Sequence, residues 1–158
     1  MAYPADLIQH AIFLSKLNSS DEPKQADLRR AVSAAYYGLL HLLTTEAARN
    51  WKHQNQRDRF ARMFEHGRMR NCSSRVSSRA LPSGPSEITV AKDLRFVAAS
   101  FVELQQARHA ADYDNAKIWS RKEVLETIKL AEKATAAWSR IREEEVAQEY
   151  LLDLIAIR

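Results

Sequence analysis

Residues 28–43 repeat apolar side chains at a helical interval and carry a polar line on the opposite side. Leu28, Val32, Ala35, Leu39, Leu42 and Leu43 share one face, while Arg30, Ser33, Tyr37, His41 and Thr44 share the other. At about 100° per residue the five polar positions stay within a narrow sector. A strand cannot hold this spacing, because its side chains alternate with period two. The rest of the chain agrees. With three Gly and four Pro in 158 residues, little interrupts a sequence rich in Ala, Leu, Arg and Glu, a composition that favours helix.

The expected organisation is a single domain, 1–158, all-α, folded as an antiparallel up-and-down bundle of about five helices. Pro4 suits a first turn, with Leu7, Ala11 and Leu14 on one face. Asn18 to Asp21 breaks this helix, and Asp21 is a plausible N-cap for a second that continues to about Asn50. A third runs from about Gln56 to Met69 with Phe60, Met63 and Phe64 inward. Paired serines and Pro-Ser-Gly-Pro make 71–87 a flexible loop. A fourth helix, Ile88 to about Asp112, carries the stripe Leu94, Val97, Phe101 and Leu104, which Arg108 and Asp112 continue. Ser120-Arg-Lys-Glu123 is a capping box opening a fifth. There Val124, Ile128, Ala131, Thr135 and Trp138 keep one phase. After Arg142 the phase changes: either the helix breaks near Glu143, or its end serves a second surface on which Tyr150, Leu151, Leu154 and Ile155 need cover. A symmetric homodimer would supply it with one self-complementary patch.

Several function classes drop out. The longest apolar run, Gly38 to Leu43, is far short of the roughly 20 residues that span a bilayer. No signal-peptide pattern follows Met1, so the expected location is the cytoplasm. Cys72 is alone, and no two of the five His lie four apart, so neither a disulfide framework nor a metal site is expected. No phosphate-binding Gly loop or Gly-x-Ser-x-Gly elbow occurs, and no cofactor is expected. The net charge is +4, unevenly placed: the Arg and Lys from Arg49 to Arg79 face only Asp58 and Glu65, and 143–153 is acidic. Such a basic middle attracts nucleic-acid phosphates, although the ordinary reading is a solvated face or one that meets an acidic tail. Trp51, Trp119 and Trp138 read as packing or interface anchors. His66-Gly67 reads as a helix C-terminus.

The remaining feature is Arg108-His109-Ala-Ala-Asp112-Tyr113-Asp114 in an otherwise apolar helix. Arg108 and Asp112 share a helix face. They can form an ion pair that locks the end of the bundle. They can also form a phosphate site, where Arg108 binds the anion and His109 or Tyr113 handles protons.

In order along the chain, Arg30-Ala-Val-Ser-Ala-Ala-Tyr36-Tyr37-Gly-Leu-Leu-His41, Phe64-Glu-His66-Gly67 and Arg108-His-Ala-Ala-Asp112-Tyr113-Asp114 resemble the HEPN superfamily (higher eukaryotes and prokaryotes nucleotide-binding). The likeness is to its bacterial members with an Arg-x-x-Ala-Asp-Tyr signature, and it covers nearly the whole chain. It implies an all-α bundle with two long antiparallel helices, often a homodimer. Many members are metal-independent ribonucleases of toxin–antitoxin or antiphage systems, and others bind RNA or nucleotides without cutting. The superfamily's ribonuclease motif has an Arg followed closely by a polar residue and then by a second, catalytic His. Arg108 and His109 match its start. Tyr113, Asp114 and Asn115 stand where that His would be. The expectation is RNA or nucleotide binding in a groove, with Arg108, His109 and Tyr113 as the reactive set. Arg30, Ser33, Tyr37, His41 and Asp112 would line the groove. A ribonuclease toxin held by an antitoxin protein, or a non-catalytic interaction module, are the other readings.

Overall fold

The computed structural model describes residues 2–156. They are all-α, with seven α-helices and one 3-10 turn among them: α1 (Ala2–Lys16), α2 (Gln25–Arg49), the turn Gln54–Gln56, α3 (Arg57–Ala61), α4 (His66–Ser77), α5 (Pro85–Tyr113), α6 (Arg121–Ile141) and α7 (Glu145–Asp153). No strand occurs among them. No helix is long and apolar enough to cross a membrane.

The chain divides into two compact units whose boundaries fall inside α2, α5 and α6. The first comprises the residues up to His41 with Glu103–Lys133. Leu28, Val32, Ala35, Leu39, Leu104, Val124 and Ile128 form its buried stripes, at the spacing the sequence predicts. The α1 and α2 backbones approach closely at Gly38. A Cβ there would lie 2.6 Å from Ile8 Cδ1 and 3.4 Å from the Pro4 carbonyl oxygen. Three side chains tie helix ends together. Arg121 donates to the Ser15, Leu17 and Asn18 carbonyls, capping α1 where Asn18 turns left-handed at φ 55°. Gln25 bonds both the carbonyl and the amide of Trp119. Arg29 donates to the carbonyls of Ala111, Asp114 and Lys117, holding the end of α5 and the turn after it. The capping box forms as expected. The Ser120 amide donates to Glu123 Oε2 at 2.9 Å, and the Glu123 amide donates to Ser120 Oγ at 3.2 Å.

The second unit comprises Leu42–Val102 and the residues from Ala134 on. Leu43, Met69, Val97, Phe101, Trp138 and Tyr150 are buried in it. Ser73 and Tyr150 share a buried 2.7 Å hydrogen bond that joins α4 to α7. Glu46, little exposed, receives a forked pair of bonds from Arg142.

Five sequence expectations change here. The loop at 71–87 is mostly helix: α4 continues to Ser77 and α5 starts at Pro85, leaving 78–84 as the connection. Met69, Cys72, Ser73 and Val76 are buried at helical spacing. Ser77, the last helical residue, and Ser78, the cap after it, both donate to the Ser74 carbonyl. The third helix is broken at 62–65, which separates α3 from α4 and leaves Met63 exposed. His66-Gly67 consequently begins a helix instead of ending one. The second helix starts at Gln25, beyond Pro23, because a residue before proline avoids the helical region. Finally, Tyr150, Leu151 and Leu154 need no second chain. A break after Ile141 turns α7, and all three are buried within the chain itself.

Candidate functional site

In the first unit, α2 and α5 meet with Arg29 against Ala111 and Tyr37 against Arg108, so their paired positions run in opposite directions. This antiparallel pairing brings the polar line of α2 to Arg108. One Arg108 Nη donates to the Tyr37 hydroxyl at 3.2 Å. Arg108 Nε lies 2.9 Å from Asp112 Oδ2, one turn on, and the two side chains are 19% and 29% exposed. The pair is therefore neither buried nor free in solvent. The Nε–H is not aimed at the carboxylate, and no aligned hydrogen bond satisfies it. The attraction is coulombic.

Rings surround this guanidinium. Its carbon lies 5.9 Å from the Tyr36 ring centre, 5.7 Å from that of Tyr37 and 5.8 Å from that of Tyr113. These are cation–π distances. The rings continue outward on both sides. His41 lies 6.1 Å from Tyr37 and 5.0 Å from Tyr3, and His109 lies 5.0 Å from Tyr113. The result is an aromatic ladder with one permanent cation at its centre.

The electrostatics follow from burial. Desolvation pushes the hydroxyl of Tyr36, fully buried, far above its ordinary value, and the charge of Arg108 offsets only part of this. Tyr36 is a neutral wall. Burial alone would lower Arg108, but Tyr37, Asp112 and Tyr113 outweigh it and raise the guanidinium above its already high value. Arg108 stays charged at every accessible pH. It has five N–H donors in a fixed fork, and Asp112 and Tyr37 do not exhaust them. Chemically, the cluster can hold an oxyanion against the guanidinium and stack a planar group on an exposed ring. Tyr113, 63% exposed, offers the most open ring.

The structure brings together Tyr37, His41, Arg108, His109, Asp112 and Tyr113. It does not bring in Arg30, which is exposed, or Ser33, which is half-buried; neither takes part in these contacts. Sequence reasoning missed Tyr3, Tyr36 and Arg29. Tyr36 was visible only as the neighbour of Tyr37, and nothing in the spacing singles out Tyr3. Arg29 differs from Arg30 by 100° of helix rotation, which turns it toward the end of α5. Among the described residues no group of three or more His, Cys, Asp or Glu is arranged to hold a metal ion. Comparison with protein-family models, with curated proteins and with solved structures finds no match.

Proposed function

We propose that this chain is a cytoplasmic, HEPN-like antiparallel helical bundle that binds RNA or nucleotides at the Arg108 cluster and works as a homodimer. The observation that carries the reading is the partly exposed guanidinium of Arg108, set among three tyrosine rings with donors left over. A phosphate would meet the guanidinium, and a base would stack on Tyr113. Tyr37 and Asp112 would orient the fork, while His41 and His109 would lie at the two ends of the ladder. The likeness of the Arg30–His41 and Arg108–Asp114 segments to the HEPN superfamily supports the same reading. It also suggests a toxin–antitoxin or antiphage setting, with an antitoxin protein as partner.

The test is RNA binding by Arg108→Ala and Tyr37→Phe variants that keep their helical signal. Loss of one phosphate contact should weaken binding to all sequences and lower the log–log salt slope by about 0.7 for single strands. Tyr37→Phe should weaken binding less. Unchanged affinity in both would reject the site. Incubation of total RNA with the protein and a chelator addresses the ribonuclease reading. Cleavage that disappears in His109→Ala or Tyr113→Phe would establish it in place of simple binding.

One observation favours a second, non-catalytic reading. Asp112, one turn along α5, already stands at the Nε edge of Arg108, while Arg108 bonds Tyr37 of α2, as in a paired guanidinium that holds one helix against another. In that case Arg108→Ala would lower stability and leave RNA affinity unchanged.

A further inference from the structure

Residues 51–70 hold six Lys or Arg and two Asp or Glu. Their excess equals the net charge of the whole chain, because the other eighteen basic and eighteen acidic residues cancel. The same twenty residues, all in the second unit, hold a stack of aromatic rings. Trp51 lies on Phe60 at 5.4 Å and 25°, and Phe60 meets Phe64 edge-on at 5.8 Å. Trp51 is 45% exposed. Its orientation is fixed from two sides: Nε1 donates to Gln56 Oε1 at 2.9 Å, and Arg57 Nε donates to its carbonyl at 3.1 Å. Arg68 is paired with Glu65. Lys52, Arg59, Arg62 and Arg70 are exposed and have no ion-pair partner among the described residues. Arg59 and Arg62 stand one and two positions from Phe60, so chain connectivity alone keeps their Cα atoms within about 8 Å of it.

A solvated helix face needs cations but not a fixed, half-exposed indole. A packing tryptophan would be covered, as Trp119 and Trp138 are, at 6% and 1% exposed. Unpaired cations around a held aromatic face are what a single strand requires, because backbone charge and base stacking then act together. We propose that the Trp51–Phe60 stack, with Lys52, Arg59 and Arg62, is a binding surface for single-stranded nucleic acid, separate from the Arg108 cluster. A base stacks on the outer face of Trp51, and the flanking phosphates meet the unpaired cations. Every base has a π-face, so the surface reads no sequence.

Trp51 reports on its own occupancy, since the other two tryptophans are buried. The experiment follows tryptophan fluorescence of the intact protein during titration at low salt. The ligands are a short oligouridylate, an oligothymidylate of equal length, an abasic deoxyribose-phosphate oligomer and polyglutamate. Both base-bearing strands should quench the emission, and the abasic and acidic polymers should not. Trp51→Ala should remove the quench and weaken binding about tenfold or more. The Arg59→Ala/Arg62→Ala double variant, which touches no buried group, should keep a quench at saturation but lower the salt slope by about 1.4. Arg108→Ala should quench like the unaltered protein, so failure at one site is distinguishable from failure at the other. Absence of quenching by either strand overturns the proposal. So does equal quenching by the abasic oligomer, or by polyglutamate, which would assign the face to an acidic protein segment. Preference for one base-bearing strand would decide only between RNA and DNA within it.

Discussion

At Gly38 a single methyl group decides how closely α1 and α2 can meet. The nearest obstacle to a Cβ is Ile8 Cδ1 at 2.6 Å, and Ile8 is itself buried, so its side chain has little space to rotate away. Gly38→Ala should therefore destabilise by about 1–3 kcal/mol, despite the usual gain of alanine over glycine within a helix. A urea midpoint equal to or above that of the parent would contradict this close approach. The Arg108–Asp112 pair sets a second residue-scale test. Full burial would make Asp112→Ala cost about 3–5 kcal/mol, and full exposure about 0–1. With side chains 19% and 29% exposed, the expected loss lies between these, about 1–2 kcal/mol. Denaturation at pH 7 measures it, and a loss above 3 would mean the carboxylate has no access to water. Tyr37 was legible in the sequence because it shares a helical line with Ser33 and His41. The role of Arg29 was not, because a guanidinium that binds three backbone carbonyls leaves no pattern in residue types.

At the scale of helices, the caps and the buried hydroxyl pair make the sharpest claims. The Ser120 amide and the Lys117 ammonium hold the Glu123 carboxyl below its ordinary value, and the opposing effect of burial does not outweigh them. Its folded-state value is depressed, so its contribution is complete above the unfolded value of about 4.5. That contribution is lost as pH falls through the lower folded value. Ser120→Ala should cost about 1 kcal/mol at pH 7, and Glu123→Gln should flatten the acid limb of a stability profile. An unchanged acid limb would remove Glu123 from the cap. Between α4 and α7, Tyr150→Phe would leave Ser73 Oγ buried without its 2.7 Å partner. The expected loss is about 1–3 kcal/mol, read from thermal unfolding, against little change if the hydroxyl finds water. The long elements were legible: the stripe Leu94, Val97, Phe101 and Leu104 is buried as its spacing predicts. The stretch 71–77 was not. Its serines suggested a loop, while its buried positions continue from Met69 one sulfur-rich, weakly apolar stripe: Met69, Cys72, Ser73 and Val76.

For the whole molecule the open question is self-association, and the C-terminal helix no longer argues for it as the sequence did. Tyr150, Leu151 and Leu154 are covered within the chain itself, at 0%, 2% and 0% exposed, whereas Leu152 on the other side of α7 is 66% exposed. A phase change along a helix reads the same whether the new face meets a second copy or the helix itself breaks and turns. Only the break after Ile141 distinguishes them, and no proline or glycine marks it in 141–145. The two sides of α7 therefore make opposite predictions. Leu154→Ala should cost about 2–5 kcal/mol through a cavity and leave the mass by light scattering unchanged wherever the protein stays folded. Leu152→Ser should change stability by less than about 0.5 kcal/mol. If the homodimer uses the exposed side of α7, the same substitution should shift the mass toward that of a monomer at micromolar concentration. A fall in mass with Leu154→Ala, without loss of stability, would restore the buried face as an interface between chains. A monomeric mass for the unaltered protein would reject the homodimer and leave both proposed nucleic-acid surfaces to act within one chain.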